Sequence, residues 1–150
     1  MLHLPFSHTV TLIIITVAIS LLAFSNQAVM NPLIFWPPAM QRGQYDRFIT
    51  HGFIHADGAH LLFNMITLFF FGNIIESFYR QFFYDMGFVL FYLGGLIVAI
   101  LPSYLKHRHD VHWASLGASG AVSAVLFAYI LFQPWNLIFV FFIPVPAIIF

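Results

Sequence analysis

A chain of 150 residues that is 61% hydrophobic and 7% charged, with a mean hydropathy of +0.93, cannot keep its surface in water; soluble domains carry about 25% charged residues. Its five basic and five acidic residues cancel, which excludes the basic footprint that nucleic-acid binding requires. The absence of cysteine excludes disulfide and thiolate chemistry. What remains is an all-α polytopic transmembrane bundle in a lipid bilayer, one domain over residues 1–150.

The first apolar run, Thr9 to Phe24, predicts a span over about 9–27. A cleaved signal peptide is the rival, since Ser25-Asn26-Gln27-Ala28 follows. Residues 1–8 hold no Lys or Arg and more spans follow, so the run is read as a retained helix. The connection over 25–59 contains Pro32, Pro37, Pro38, Gly43, Gly52 and Gly58, which break regular helix over much of its length. Its Ile34-Phe35-Trp36 segment suits the membrane interface.

Further spans are predicted at about 59–79, 83–104 and 114–132, with a short apolar run at 137–150. Glu76 and Arg80, four apart, can pair on one helix face. Gly94-Gly95 permits close approach of a neighbouring helix. The run at 137–150 holds Pro144 and Pro146 and is shorter than the ~20 residues that cross a bilayer as a helix. It carries no polar flank, so the chain is expected to be the first five spans of a longer protein.

Two polar stretches interrupt this apolar pattern. One places His51, His55, His60 and Asn64 at the start of the second span; the other places Gly117-Ala118-Ser119-Gly120 at the start of the fourth. Ionisable side chains inside membrane segments are costly and mark functional sites. Alternating spans put both starts on one side. Asn64 and Ser119, each about five residues in, are then expected roughly 8 Å below the same surface. His60 and Asn64 share a helix face. Gly117, Gly120, Ala121, Ala124 and Ala128 permit tight packing around Ser119. Alone, the small-residue pattern is explained equally by helix packing. The histidines could instead hold a metal, with Asp57 as the nearest carboxylate. His107, His109 and His112 read as a solvated loop.

Together, the run Arg47-Phe48-Ile49-Thr50-His51, His55, His60 and Asn64, followed by Gly117-Ala118-Ser119-Gly120, resembles the rhomboid intramembrane serine proteases over residues 45–130. The resemblance implies a six-span bundle that hydrolyses peptide bonds of transmembrane protein substrates, without metal or cofactor, in a multi-pass protein of the bacterial inner membrane. It makes Ser119 the nucleophile and His60 and Asn64 the oxyanion donors. His51, His55, Gly117 and Gly120 become supporting residues and Glu76 a scaffold carboxylate.

Three departures stand out. The base histidine that the family carries on a sixth helix has no counterpart in these residues, so the chain alone is expected to be inactive. Ser123 stands where a tyrosine is frequent, and Asp46-Arg47 where Trp-Arg is frequent. The catalytically inactive alternative is a rhomboid-like pseudoprotease that binds membrane clients. Orientation is ambiguous, because Arg42, Arg47, Lys106 and Arg108 on the site's side oppose the resemblance under the positive-inside bias.

Overall fold

A computed structural model of the chain describes residues 7–84, 86–140 and 143–149. Helix α1 runs His8–Ser25. It is followed by three short helices, α2 Gln27–Leu33, α3 Pro37–Met40 and α4 Arg47–Thr50. A long helix, α5, covers Gly58–Phe82, and α6 covers Gly87–His107. Helix α7, Ser119–Phe132, completes the bundle. Helices α1, α5 and α6 are long and apolar enough to cross a membrane. Exposed Leu22, Phe63, Phe70, Leu90, Val98, Phe127 and Leu131 give the bundle its lipid-facing surface.

The helices are phased by a few polar residues in otherwise uniform apolar sequence. In α1 the buried stripe is Thr9, Leu12, Thr16, Ser20 and Ala23, recurring every three or four residues. Ser7 caps α1 through the Val10 amide at 3.2 Å. Asp57 caps α5 through the His60 amide at 2.8 Å, so this carboxylate is spent on a helix end. Midway along α5, Leu68–Gly72 form one π-helical turn. Gly72 is needed there because a Cβ would stand 2.8 Å from Thr9 Cγ2 of α1.

The core joins Leu12 of α1, Leu61, Met65 and Leu68 of α5, Tyr92 and Leu96 of α6, and Ala121 and Val125 of α7. Close approach of α6 to α7 runs through small residues. A Cβ on Gly95 would lie 3.2 Å from Ala121 Cα, and one on Gly120 would lie 2.4 Å from Ala99 Cβ. Gly94 has open space around it, so Gly95 alone makes the expected contact.

Three sequence expectations change. The connection over 25–59 is largely folded: Pro37 starts a helix, where its missing N–H costs nothing. Phe35 sits at the centre of a separate small core with Met40 and Ile100, edge-on to Phe48, Tyr104 and Trp113. The span expected over 114–132 is helical only from Ser119 onward. Residues before it are held extended by the Phe35–Ser115 bridge and by Gly117 at φ +114°. The run expected as a fifth span at 137–150 forms, where described, an antiparallel hairpin of β1 Leu137–Val140 and β2 Ile143–Pro146 and a 3₁₀ turn at Ala147–Ile149. Pro144 and Pro146 lack the N–H donors that a helix would need there.

Candidate active site

Ser119 is the first residue of α7, not a residue one turn inside it. The expected depth of about 8 Å therefore does not apply to it. The irregular 115–118 segment instead presents it, exposed, at the wall of a cavity of about 200 Å³. His51, Ser103, Ser115, Gly117 and Gly120 share that lining. No side chain caps α7. Its first amides, Ser119 N–H among them, are left to whatever enters the cavity, at the positive end of the helix dipole.

The chain leading to Ser119 is tied down residue by residue. Ser115 exchanges both backbone hydrogen bonds with Phe35, at 2.9 and 3.0 Å. Gly117 donates its N–H to the His51 carbonyl at 2.9 Å. Ala118 donates to His55 Nε2 at 3.3 Å. An accepting Nε2 carries no proton, so the His55 hydrogen is on Nδ1, which lies 3.0 Å from Ser20 Oγ. That hydroxyl in turn donates to the Phe53 carbonyl at 3.1 Å. Neutral His55 thus links α1 to the residue before the candidate nucleophile. Burial, then the neighbouring His60, push its pKa down to about 4, with Asp57 opposing. His51 donates from Nδ1 to the Arg47 carbonyl at 2.9 Å, and burial lowers its pKa against that bond and one to Phe48.

His60 reaches the site from the Gly117 side. A Cβ on Gly117 would fall 2.7 Å from its Cε1 and 3.2 Å from its Nε2. Glycine is required here twice, for this contact and for the left-handed backbone. The His60 ring stands edge-on to His55, 5.0 Å between centroids. One turn further along α5, buried Asn64 donates one Nδ2 hydrogen to the His60 carbonyl at 2.9 Å. The structure thus gathers Ser119, Gly117, Gly120 and His51 around one cavity, with His60 against its edge. Asn64, one turn along α5 from His60, is not among the lining residues.

The metal alternative finds little to use. Both ring nitrogens of His55 and one of His51 are hydrogen-bonded, and Asp57 is a helix cap. Among the described residues no group of three His, Cys, Asp or Glu is placed to hold an ion.

Sequence reasoning missed Ser20, Ser103 and Ser115. Ser20 had a signal, as Thr9, Thr16 and Ser20 recur at spacings of seven and four along an apolar run. Ser103 and Ser115 had none, because their role depends on contacts between distant segments.

The sequence itself belongs to a known class. Residues 42–150 match the Rhomboid domain, and the chain belongs to the rhomboid family of integral membrane proteins. It is 31% identical over 138 residues to "RHOMBOID-like protein 12, mitochondrial" of Arabidopsis thaliana, covering 84% of this chain. It is 30% identical over 126 residues to "Rhomboid protease GlpG" of Enterobacter sp. (strain 638), covering 81% of this chain. The GlpG of Klebsiella pneumoniae (strain 342) is 29% identical over 124 residues, again 81% of this chain. The matched stretch spans 41% of the length of each of these relatives.

Proposed function

We propose that this chain carries the nucleophile and oxyanion donors of an intramembrane serine endopeptidase that cleaves transmembrane segments near the membrane surface. The observation that carries it is Ser119 on the uncapped first residue of α7, at a cavity wall, with the preceding backbone fixed by His51 and His55. In the proposed reaction Ser119 Oγ attacks the substrate carbonyl and its proton passes to a base. The oxyanion formed is met by the Ser119 N–H, the His60 imidazole and the remaining Nδ2 hydrogen of Asn64. Each such donor stabilises the transition state by roughly 3–4 kcal/mol in a site shielded from water. The proposed membrane is the bacterial inner membrane; the relative named mitochondrial shows that the family is not confined to it.

A serine nucleophile needs an adjacent base. His55 has both ring nitrogens engaged, and His51 holds the Arg47 carbonyl. By the family resemblance the base is a histidine on a sixth helix. The engagement of these two histidines also supports a second proposal, a client-binding pseudoprotease. A fluorophosphonate probe separates the two. It is applied to the chain, to a protein extended by whatever residues its gene encodes beyond Phe150, and to Ser119→Ala of each. Labelling at Ser119 with cleavage of a transmembrane substrate by the extended protein is the expected result. Absence of both in a folded extended protein rejects the protease.

A further inference from the structure

A second cavity, of about 770 Å³, lies in the connection between α1 and α5, lined by Asn31, Ile34, Trp36, Gln44, Asp46 and Arg47 with Pro32. It shares no residue with the Ser119 cavity. Its size falls within the roughly 300–1,000 Å³ of small-molecule sites. The segment stands where α1 ends at Ser25, α5 begins at Gly58 and α6 ends at His107, which is headgroup depth for a protein with these spans.

Arg47 is the unusual element. It is only 7% exposed. Its Nε donates to Gln44 Oε1 at 2.8 Å, and its Nη1 donates to the carbonyls of Asn31 at 2.9 Å and Ile34 at 2.5 Å. Nη2 has no hydrogen-bond partner among the described residues, yet Arg47 lines the cavity. A guanidinium whose Nε and Nη1 are held by the fold keeps its Nη2 hydrogens for a phosphate oxygen. Asp46, exposed on the same wall, makes no capping bond to α4. That carboxylate, whose charge also faces the Arg47 guanidinium, repels a purely anionic ligand and attracts a cation. Trp36 and Ile34 offer apolar surface beside them, and Arg42 lies over the Trp36 ring at 5.2 Å.

We infer that this cavity holds a zwitterionic aminophospholipid headgroup, with the phosphodiester on Arg47, the ammonium toward Asp46 and the glycerol end along Trp36 and Ile34. The chemistry is a phosphodiester joined to a primary ammonium, as in phosphatidylethanolamine. The inference is independent of the proposed peptidase activity.

Native mass spectrometry of the purified full chain would test it, with phosphatidylethanolamine, phosphatidylcholine and phosphatidylglycerol of identical acyl chains. Retention of the ethanolamine lipid should exceed the other two by about tenfold, as expected for one charge-assisted hydrogen bond. Asp46→Asn removes no hydrogen bond of the fold and should erase the margin over phosphatidylcholine. Arg47→Lys should weaken all three lipids. Because Arg47 is buried, Asp46→Asn carries the test if that variant fails to fold. Equal retention of the three lipids, a preference for phosphatidylglycerol, or an ethanolamine margin unchanged in Asp46→Asn would each overturn the inference. Displacement of the lipid by equimolar inorganic phosphate or phosphoethanolamine would assign the site to a free anion and overturn it as well.

Discussion

Two helices of this bundle begin in opposite ways. Helix α1 starts under a carboxylate: Glu76 accepts the His8 and Thr9 amides at 2.9 and 2.8 Å, and Ser7 takes the Val10 amide. The same carboxylate meets Arg80 at 2.9 Å and His8 Nδ1 at 3.2 Å. Helix α7 starts with no side-chain cap and with a serine at its first position. Both ends carry the same positive dipole and the same orphan amides. At α1 the protein satisfies them with a group 68 residues away in sequence, which locks α1 to α5. At α7 it fixes the chain before the helix and leaves the amides open. A satisfied helix start is architecture; an unsatisfied one beside the proposed nucleophile and a histidine can receive a developing anion.

Breaking the satisfied end should have the largest effect on stability. Glu76→Ala strands the His8 and Thr9 amides, and leaving a buried donor unsatisfied costs about 1–3 kcal/mol for each. The thermal unfolding midpoint in detergent should drop steeply, and an unchanged midpoint would remove the architectural role given to this end. Arg80→Ala, at a half-exposed side chain, should cost under about 1 kcal/mol. At the open end, Gly117→Ala forces a Cβ onto the His60 ring and a left-handed backbone on alanine. A loss of about 1–3 kcal/mol is expected from overpacking and strain. If the proposed peptidase is correct, probe labelling of Ser119 in the extended protein should fall with it.

The link through His55 sharpens the contrast with a pH dependence. Its folded pKa of about 4 lies below the ordinary 6.5, so the unfolded state binds more protons between these values. The contribution of His55 is therefore complete above pH 6.5 and lost as pH falls toward 4. The protection of the Ala118 amide against hydrogen exchange, taken relative to its intrinsic rate at each pH, should fall over that interval, whereas the protection of the His8 and Thr9 amides should not follow the same curve. A flat profile at Ala118 would show that His55 does not hold it. The smallest effect belongs to neither end. Tyr92 is fully buried in α6 with its hydroxyl unpartnered among the described residues. Tyr92→Phe should be neutral or stabilise by about 1 kcal/mol in the same unfolding measurement.

Much of the molecule was legible from local pattern alone. Long apolar runs required membrane helices and the Glu76–Arg80 spacing required a pair on one face, while clustered His51, His55 and His60 near Asn64 singled out one end as the candidate site. Two expectations fail. Hydropathy starts the fourth span at Ala114 because it does not register the Phe35–Ser115 bridge or the turn at Gly117. The run at 137–150 reads as a fifth span although too short to cross as a helix, and Pro144 and Pro146 favour the hairpin that forms there.

By itself the sequence determined the class of protein and the residue types at its site, because burial in lipid and helical periodicity act over a few neighbouring positions. Only the tertiary structure decided that Ser119 opens α7, that His55 bridges Ser20 to the Ala118 amide, and that Glu76 closes α1. Those outcomes depend on which distant polar groups find each other once water is excluded, and no local pattern records that pairing.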